Sequence, residues 1–298
     1  MSFPFEFDHG IPQVFGGEMP VMRSFDDSRV VILPAPLERT TSYGGGTRNG
    51  PHAILNASSH VELWDEEVGV DIHDIGIFTL PEMEFPRGEL GPTMAEIQRV
   101  ASEILSRDKF LVTLGGEHSL TPPLVAAAAA RHPGLSVLQI DAHADLRESY
   151  MGTPHNHACA IFGSLPHATR VTQVGIRSMS TEEAQAARSL KTRLFYDWNM
   201  RQDPHWIDTV VDSLGDGPVY ITIDVDGLDP AIMPSTGTPE PGGLSWYETL
   251  ALLRATLRRR TVVACDVVEL SPIPGLHAPD FLCAKLIYKI LTYRFAGR

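Results

Sequence analysis

The chain has 298 residues, of which 43% are hydrophobic and 20% are charged, and this composition is sufficient for a large buried core. Its formal net charge of −13 repels nucleic-acid phosphates and anionic lipid surfaces, and it favours cationic ligands. We therefore expect no nucleic-acid partner and no membrane partner.

The three cysteines Cys159, Cys265 and Cys283 are widely spaced and form no CxxC pair. Neither a disulfide framework nor a zinc ribbon is therefore indicated. The N-terminal segment lacks a basic stretch followed by an apolar core, and no later segment approaches the roughly 20 apolar residues that span a bilayer. These features predict a cytoplasmic protein.

Short apolar runs alternate along the chain with segments of helical spacing. The predicted strands are Arg29–Pro36, Phe110–Gly116, Leu135–Asp141, Arg170–Ile176, Val219–Asp226 and Val262–Leu270. The predicted helices are Met94–Ser106, Pro122–Arg131, Thr181–Leu190, Trp206–Leu214, Ser245–Arg258 and Asp280–Tyr293. This alternation predicts an α/β fold of three layers, α/β/α, with a mostly parallel central sheet. Because no linker or repeat divides the chain, we expect one domain spanning residues 1–298.

Polar side chains cluster where the predicted strands end. The residues are His118, Asp141, His143, Asp145, Asp224 and Asp226. In open parallel sheets the carboxyl edge of the strands is where ligands bind. Spacing of two residues in an extended chain projects alternate side chains to one side, so each cluster is predicted to face a common centre.

The composition of these clusters favours a metal site with two ions. A single Asp-x-His or Asp-x-Asp at a strand end is more often a turn or a cap, but two such clusters together with a histidine favour metal binding. Four converging carboxylates would repel one another, whereas two divalent ions balance their charge. The mixed carboxylate and imidazole set favours manganese, with iron, nickel or cobalt as alternatives. Two adjacent ions would support hydrolysis without a side-chain nucleophile.

The motifs that contain these residues resemble the metal motifs of the ureohydrolase family, which includes arginases and agmatinases. They are GGEHS (Gly115–Ser119), DAHAD (Asp141–Asp145) and DVDGLDPAIMPSTGTPEPGGLS (Asp224–Ser245). TSYGGGTRNGP (Thr41–Pro51) and DVVELSP (Asp266–Pro272) are similar to two further segments of that family. The resemblance implies an arginase-like fold, two Mn²⁺ ions per subunit, and a homo-oligomer, either a trimer or a hexamer.

The resemblance also implies a role for each ligand. His118 and Asp145 would bind the first manganese ion, His143 and Asp226 the second, and Asp141 and Asp224 would bridge both. Water activated by the ions would attack the guanidinium carbon, and Asp145 would pass a proton to the departing amine.

Two further residues match functional positions of the family. Glu269 matches the glutamate that binds the guanidinium group, although a salt-bridged residue at the sheet edge is an equal alternative from the sequence alone. His157 matches a histidine that shuttles protons between solvent and the site, and the alternative is a hydrogen-bonded loop histidine. The catalytic set expected from the sequence is therefore Asp145, His157 and Glu269.

Departures from the arginase pattern bear on the substrate. Glu117 stands where many arginases have Asp, and LRESYMGTPHNHA (Leu146–Ala158) lacks the polar run that receives the α-carboxylate of arginine. We therefore expect a small cationic guanidino substrate, with agmatine, cleaved to putrescine and urea, as the first candidate. Guanidinobutyrate, arginine and guanidine remain alternatives.

Two other classes of function share some of these sequence features. A binuclear metallophosphatase also uses Asp-x-His clusters, and Asn156-His157 resembles its Asn-His pair, but the later His-x-His is missing. A metal-binding oligomer without catalytic activity would retain the ligands without turnover.

Overall fold

The computed structural model describes residues 14–16, 24–85 and 87–296, with the side chain of His73 left out. Most of the N-terminal segment, which was expected to lack a basic stretch followed by an apolar core, lies outside the described residues.

Eight parallel strands of the described chain form one sheet, in the order β4-β1-β5-β10-β9-β6-β7-β8. The strands are β1 (Val30–Ala35), β4 (Ile77–Thr79), β5 (Phe110–Gly115), β6 (Ser136–Ile140), β7 (Arg170–Ile176), β8 (Thr192–Tyr196), β9 (Val219–Asp224) and β10 (Val262–Val268). A small antiparallel hairpin comprises β2 (Trp64–Asp65) and β3 (Val70–Asp71). The central strands are buried along their whole length, which explains why they read as continuous apolar runs.

Helices cover both faces of the sheet, and the three-layer α/β/α prediction is confirmed. The helices are α1 (Gly50–Ser58), α2 (Leu90–Leu105), α3 (Thr121–Arg131), α4 (Ala160–Ser164), α5 (Thr181–Ala186), α6 (Asp197–Met200), α7 (Trp206–Ser213), α8 (Trp246–Arg259) and α9 (Ala278–Phe295). Side chains of α1, α7, α8 and α9 belong to the apolar core on one face. Side chains of α2, α3 and α4 belong to the core on the other face.

Capping residues define where two of the predicted helices begin. At α8 a capping box is present, with Ser245 accepting from the Glu248 amide and Glu248 accepting from the Ser245 amide. At α5 the cap is Ser180, which forms a second capping box with Glu183. The predicted start of this helix at Thr181 is confirmed, and Ser180 is the cap that precedes it.

Two predicted strands end two residues earlier than the sequence indicates, and both differences lie at the carboxyl edge. β9 stops at Asp224, and Asp226 lies in a 3-10 turn formed by Val225–Gly227. β10 stops at Val268, and Glu269 has a left-handed backbone with φ of 64°. The expectation that the site residues converge from an extended chain was therefore wrong in detail. A turn at Asp226 and a left-handed backbone at Glu269 direct these side chains instead.

Close backbone contacts hold the loops around this edge. A Cβ on Gly44 would lie 2.9 Å from the carbonyl oxygen of Gly237, and a Cβ on Gly116 would lie 1.9 Å from that of Leu37. The Gly44 amide also donates to the Gly237 carbonyl at 3.2 Å. Glycine is required at these positions because any side chain would separate loops that have to touch.

Candidate metal centre and substrate cavity

His118 follows β5 at the carboxyl edge of the sheet and is fully buried. Its Nδ1 atom is 3.0 Å from Asp145 Oδ2, 3.2 Å from Asp141 Oδ2 and 3.5 Å from Asp224 Oδ2. Within the described part of the chain, this nitrogen has no partner with hydrogen-bond geometry. A buried nitrogen that faces three carboxylates without a hydrogen bond fits a metal ligand.

His143 marks a second group beside the first. Its Nδ1 atom is 2.9 Å from Asp226 Oδ2 and 3.6 Å from Asp141 Oδ1. Potential ligand atoms of His118, Asp141 and Asp224 lie within 4.8 Å of one another, and so do those of Asp141, His143 and Asp226. Asp141 thus belongs to both groups, which is the arrangement expected of a carboxylate shared by two cations.

Buried hydrogen bonds fix the orientation of the His118 ring. The hydroxyl of Thr222 donates to Asp266 Oδ1 at 2.6 Å and is 2.8 Å from His118 Nε2. Because the hydroxyl hydrogen is used on the carboxylate, Nε2 must be the donor to Thr222. Nδ1 then carries the free lone pair that a metal ion requires.

Asp266 is the anchor of this arrangement. It is fully buried and also accepts the hydroxyls of Tyr220 at 2.7 Å and Thr121 at 3.1 Å. Burial raises the pKa of Asp266, while the surrounding donors act in the opposite direction. Its carboxylate contacts neighbouring hydroxyls and none of the candidate ligands directly.

Asp145 is held in an unusual backbone conformation, with φ of 51°. Its carbonyl oxygen accepts the amides of Ile161 and Phe162 at the start of α4. Burial and the nearby charge of Asp141 raise the pKa of Asp145 to about 7. A non-glycine residue in the left-handed region costs free energy, and such residues concentrate at functional sites.

The electrostatics of the cluster call for added positive charge. Burial, followed by the charges of Asp226 and Asp141, raises the pKa of Asp224 well above its ordinary value. Burial would also raise the pKa of Asp141, but the hydrogen bonds and charges of His118 and His143 hold it well below its ordinary value. Such opposed shifts indicate carboxylates packed more closely than their charge allows without cations, and divalent ions fit this donor set.

Glu269 lies next to the first group without belonging to either one. Its Oε1 atom accepts the backbone amide of His118 at 2.6 Å, and the residue is buried. Burial and the neighbouring charge of Glu117 raise its pKa well above the ordinary value, although the amide of His118 acts in the opposite direction. A cation in the cavity would stabilise its ionised form.

A cavity of about 270 Å³ opens above these residues. His143, Asp145, Asp224, Asp226 and Glu269 line its floor, and Ser42, Arg147, Tyr150, His157 and Glu183 are among the residues of its wall. The Arg147 guanidinium stacks on Tyr150 at 4.4 Å from the ring centroid and pairs with Glu183 at 3.5 Å. This volume suits a small ligand with its reactive group at the carboxylate floor.

His157 lies in this wall and contacts a loop that follows β1. Its Nδ1 atom is 3.3 Å from the Thr40 hydroxyl, and its Nε2 atom is 3.3 Å from the Ser42 hydroxyl. Burial lowers its pKa, and the charge of Glu117 partly offsets this shift. The ring therefore contacts the cavity on one side and a buried hydrogen-bond network on the other.

The structure brings all six predicted ligands to one place and sets Glu269 and His157 around the same cavity. The sequence interpretation missed Thr222, Asp266, Thr40 and Arg147. Thr222 lies inside a buried strand, where a threonine gives no signal of its own, whereas Asp266 opens the DVVELSP motif without its role being evident from the sequence. Thr40 directly precedes the TSYGGGTRNGP motif, and Arg147 lies in the quoted segment Leu146–Ala158, two residues after DAHAD, so both have a signal in their position beside the motifs.

Comparison with known proteins places this arrangement in a family. The sequence model of the Arginase family matches residues 28–292. The chain belongs to the arginase family. The fold, the motifs and the clustered ligands of this arginase-family protein agree with that assignment.

Individual relatives resemble it over most of their length. The N(1)-aminopropylagmatine ureohydrolase of Synechocystis sp. is 37% identical over 299 residues, covering 98% of this chain and 97% of the relative. The agmatinase of Bacillus cereus is 35% identical over 253 residues, covering 84% of this chain and 86% of the relative.

Solved structures show the same fold. The agmatine ureohydrolase of Thermoplasma volcanium superimposes with a TM-score of 0.85 at 29% identity, covering 96% of this chain and 94% of that one. The arginase of Bacillus caldovelox has a TM-score of 0.76 at 20% identity, covering 91% and 99% respectively, and this likeness concerns the fold alone.

Two further observations concern the helices and the cysteines of this arginase-family protein. None of the helices in the described residues is both long enough and apolar enough to cross a bilayer. Cys159, Cys265 and Cys283 are all free thiols and buried.

Proposed function

We propose that this arginase-family protein hydrolyses the guanidinium group of an agmatine-type substrate, releasing urea and a primary amine. One observation carries the proposal: Asp141 is shared by two groups of potential ligands at the floor of a cavity, beside the buried carboxylate of Glu269. A dinuclear site next to a carboxylate suits a positively charged group that is attacked by water. The family assignment and the named relatives support the same chemistry.

Two Mn²⁺ ions per subunit are proposed as the cofactors, with other divalent transition metals as alternatives. His118, Asp141, Asp145, Asp224 and Asp226 would hold them together with His143, and the unpartnered Nδ1 of His118 supports this assignment. When bound, the ions would activate water for attack on the guanidinium carbon.

The protein residues would orient the substrate and move protons. Glu269 would pair with the guanidinium group, holding the carbon above the floor of the cavity. Asp145 Oδ2 would pass a proton to the departing amine, and His157 would exchange protons between the cavity and solvent. These roles follow the family resemblance and agree with the positions of the three residues around one cavity.

The candidate substrates differ at the end that is remote from the guanidinium group. The name of the Synechocystis relative favours N(1)-aminopropylagmatine, whose loss of urea leaves a triamine. Agmatine, the substrate expected from the sequence, would give putrescine, and the Bacillus cereus relative favours it. We propose the aminopropyl compound as the first substrate to test and agmatine as the second.

A parallel assay of urea release tests the proposal. Manganese-loaded protein is incubated with N(1)-aminopropylagmatine, agmatine, 4-guanidinobutyrate, arginine and guanidine, with chelated protein as the control. We expect the two agmatine-type compounds to have the highest kcat/KM. Preference for 4-guanidinobutyrate or arginine would refute the substrate class, and absence of urea from all five would refute the proposed function.

Three further predictions belong to this proposal. The free, buried cysteines support a location of the protein in a reducing compartment, which we propose is the cytoplasm. Homo-oligomeric assembly as a trimer or hexamer and a single domain over residues 1–298 are proposed on the family resemblance.

A further inference from the structure

Glu117, which distinguishes the first motif from that of many arginases, is the centre of a second buried hydrogen-bond network. It is fully buried, and its Oε2 atom accepts the backbone amides of Arg39 at 2.7 Å and Thr40 at 2.6 Å. Its Oε1 atom accepts the hydroxyls of Thr40 at 2.9 Å and Ser119 at 2.5 Å. Four donors aimed at one carboxyl group are the environment of an ionised carboxylate, which only accepts.

The network continues from Thr40 to His157. The Thr40 oxygen accepts the backbone amide of His157 at 3.1 Å and is 3.3 Å from its ring atom Nδ1. A threonine hydroxyl has one hydrogen and two lone pairs. Because its hydrogen is used on Glu117 and one lone pair on the His157 amide, the remaining lone pair faces Nδ1, which has to donate.

We infer that Glu117 and Thr40 are positioning residues that fix the tautomer of His157, with the proton on Nδ1 and the lone pair of Nε2 directed to the cavity. Nε2 is the ring nitrogen beside the exposed Ser42 hydroxyl, at 3.3 Å. In a neutral imidazole only the unprotonated nitrogen accepts a proton. The network therefore gives His157 an acceptor on the side that faces the substrate.

This inference rests on the proposed function only for its catalytic consequence. The tautomer itself is a property of the network and is measurable without turnover. Glu117 and Thr40 lie behind the ring, and neither belongs to the two ligand groups. They act through His157, so their effect on the reaction should vanish when His157 is absent.

Replacement of one carboxylate oxygen of Glu117 by an NH₂ group should reverse the direction of the hydrogen bonds from Glu117 to His157. In Glu117→Gln the amide oxygen still accepts from Arg39 and Thr40, but the NH₂ group replaces Oε1 and donates to the Thr40 oxygen. The Thr40 hydroxyl then turns to donate to Nδ1, and the ring proton moves to Nε2. In Thr40→Val the link is removed, whereas Thr40→Ser keeps the hydroxyl.

Nitrogen-15 NMR of histidine-labelled protein, loaded with diamagnetic Zn²⁺, reads the tautomer directly. Loss of resonances in His157→Ala assigns the two ring nitrogens. The inference predicts a protonated Nδ1 in the unchanged protein, in Thr40→Ser and in the control Thr41→Val, which removes the neighbouring hydroxyl of the same loop. It predicts a protonated Nε2 in Glu117→Gln and loss of the preference in Thr40→Val. A protonated Nε2 in the unchanged protein, or an unaltered tautomer in Glu117→Gln, would overturn it.

Kinetics of the manganese-loaded protein give the second readout. General acid–base groups contribute about 10²–10⁴-fold to rate, so Glu117→Gln is expected to lower kcat at least about tenfold with little change in KM. In the His157→Ala background the same substitution should have no further effect. An equal loss in both backgrounds would show a role independent of His157 and contradict the inference.

Discussion

The ring of His118 and the hydroxyl of Thr222 are 2.8 Å apart, and the hydroxyl donates in turn to Asp266 at 2.6 Å. This buried contact determines which nitrogen of His118 carries the lone pair. The metal-binding capacity of the first group therefore depends on residues that contact no metal ion themselves. Loss of such a supporting residue typically lowers metal affinity or activity about 10- to 100-fold.

Thr222→Val is expected to weaken metal binding about 10- to 100-fold, because the His118 ring loses the acceptor that fixes its tautomer. Competition with a fluorescent chelator measures the change, and Thr222→Ser should restore the affinity.

The matched control for Thr222→Val is Thr113→Val. Thr113 is fully buried on β5, which is separated from the strand of Thr222 by β10; its backbone is paired with Asp266, and its hydroxyl has no partner among the described residues. Equal losses of metal affinity in the two valine variants would indicate a packing effect and contradict the role of the hydroxyl.

Asp141→Asn is expected to lower the metal content of both groups, since Asp141 is the residue that they share. Loss of the charge should reduce the bound metal below about one equivalent per subunit and lower the rate of urea release in parallel. Metal analysis after gel filtration measures the content. The exposed Asp216→Asn is the control, and two retained equivalents in Asp141→Asn would exclude its bridging position.

Glu269→Gln is expected to lower kcat/KM for the substrate without lowering the metal content of the protein. A hydrogen bond to a charged group contributes about 1.5–3 kcal/mol, so kcat/KM should fall about 10- to 100-fold, with metal occupancy near that of the unchanged protein. Glu96→Gln, on the surface of α2, is the matched control. Loss of both metals from the Glu269 variant would place this residue among the ligands instead.

The buried ion pair of Lys289 and Asp65 provides a prediction about stability. Lys289 Nζ is 3.0 Å from Asp65, and both side chains are almost completely buried. Burial alone would lower the pKa of Lys289, but the hydrogen bond and charge of Asp65 raise it above the ordinary value. The stabilisation is therefore complete at neutral pH and is lost only as the pH rises through that raised pKa.

Lys289→Met should lower the free energy of unfolding by about 3–5 kcal/mol, because Asp65 is left buried without a counter-charge. Chemical denaturation measures this change. Lys285→Met, one turn earlier on α9 and less buried, should have a small effect. If both variants lose the same stability, the buried pair is not the cause.

The sequence predicted the central sheet because those strands are continuously apolar, and it predicted the ligands because they follow the strands directly. It missed the edge strand β4, which has only three residues, and the edge strand β8, which is only partly buried, so that neither gives a strong apolar pattern. It also missed α1, which begins at Gly50 and Pro51 inside a segment that reads as a turn.

The local geometry of the site was less accessible from sequence. The left-handed backbones of Asp145 and Glu269 are stabilised by contacts with distant segments, including the Glu269 amide donating to Gly116 at 2.8 Å. The hydroxyls of Thr222 and Thr40 acquire a role only when the fold brings them beside histidines. Such long-range contacts leave no periodic signal in the chain.

A titration of metal-free protein with Mn²⁺ tests the central claim most directly, with bound metal and urea release from an agmatine-type substrate followed in the same samples. The account predicts no turnover without metal, binding that saturates at about two ions per subunit, and activity that rises with their binding. Urea release by the metal-free protein, or full activity with metal bound only outside the His118 and His143 groups, would contradict it.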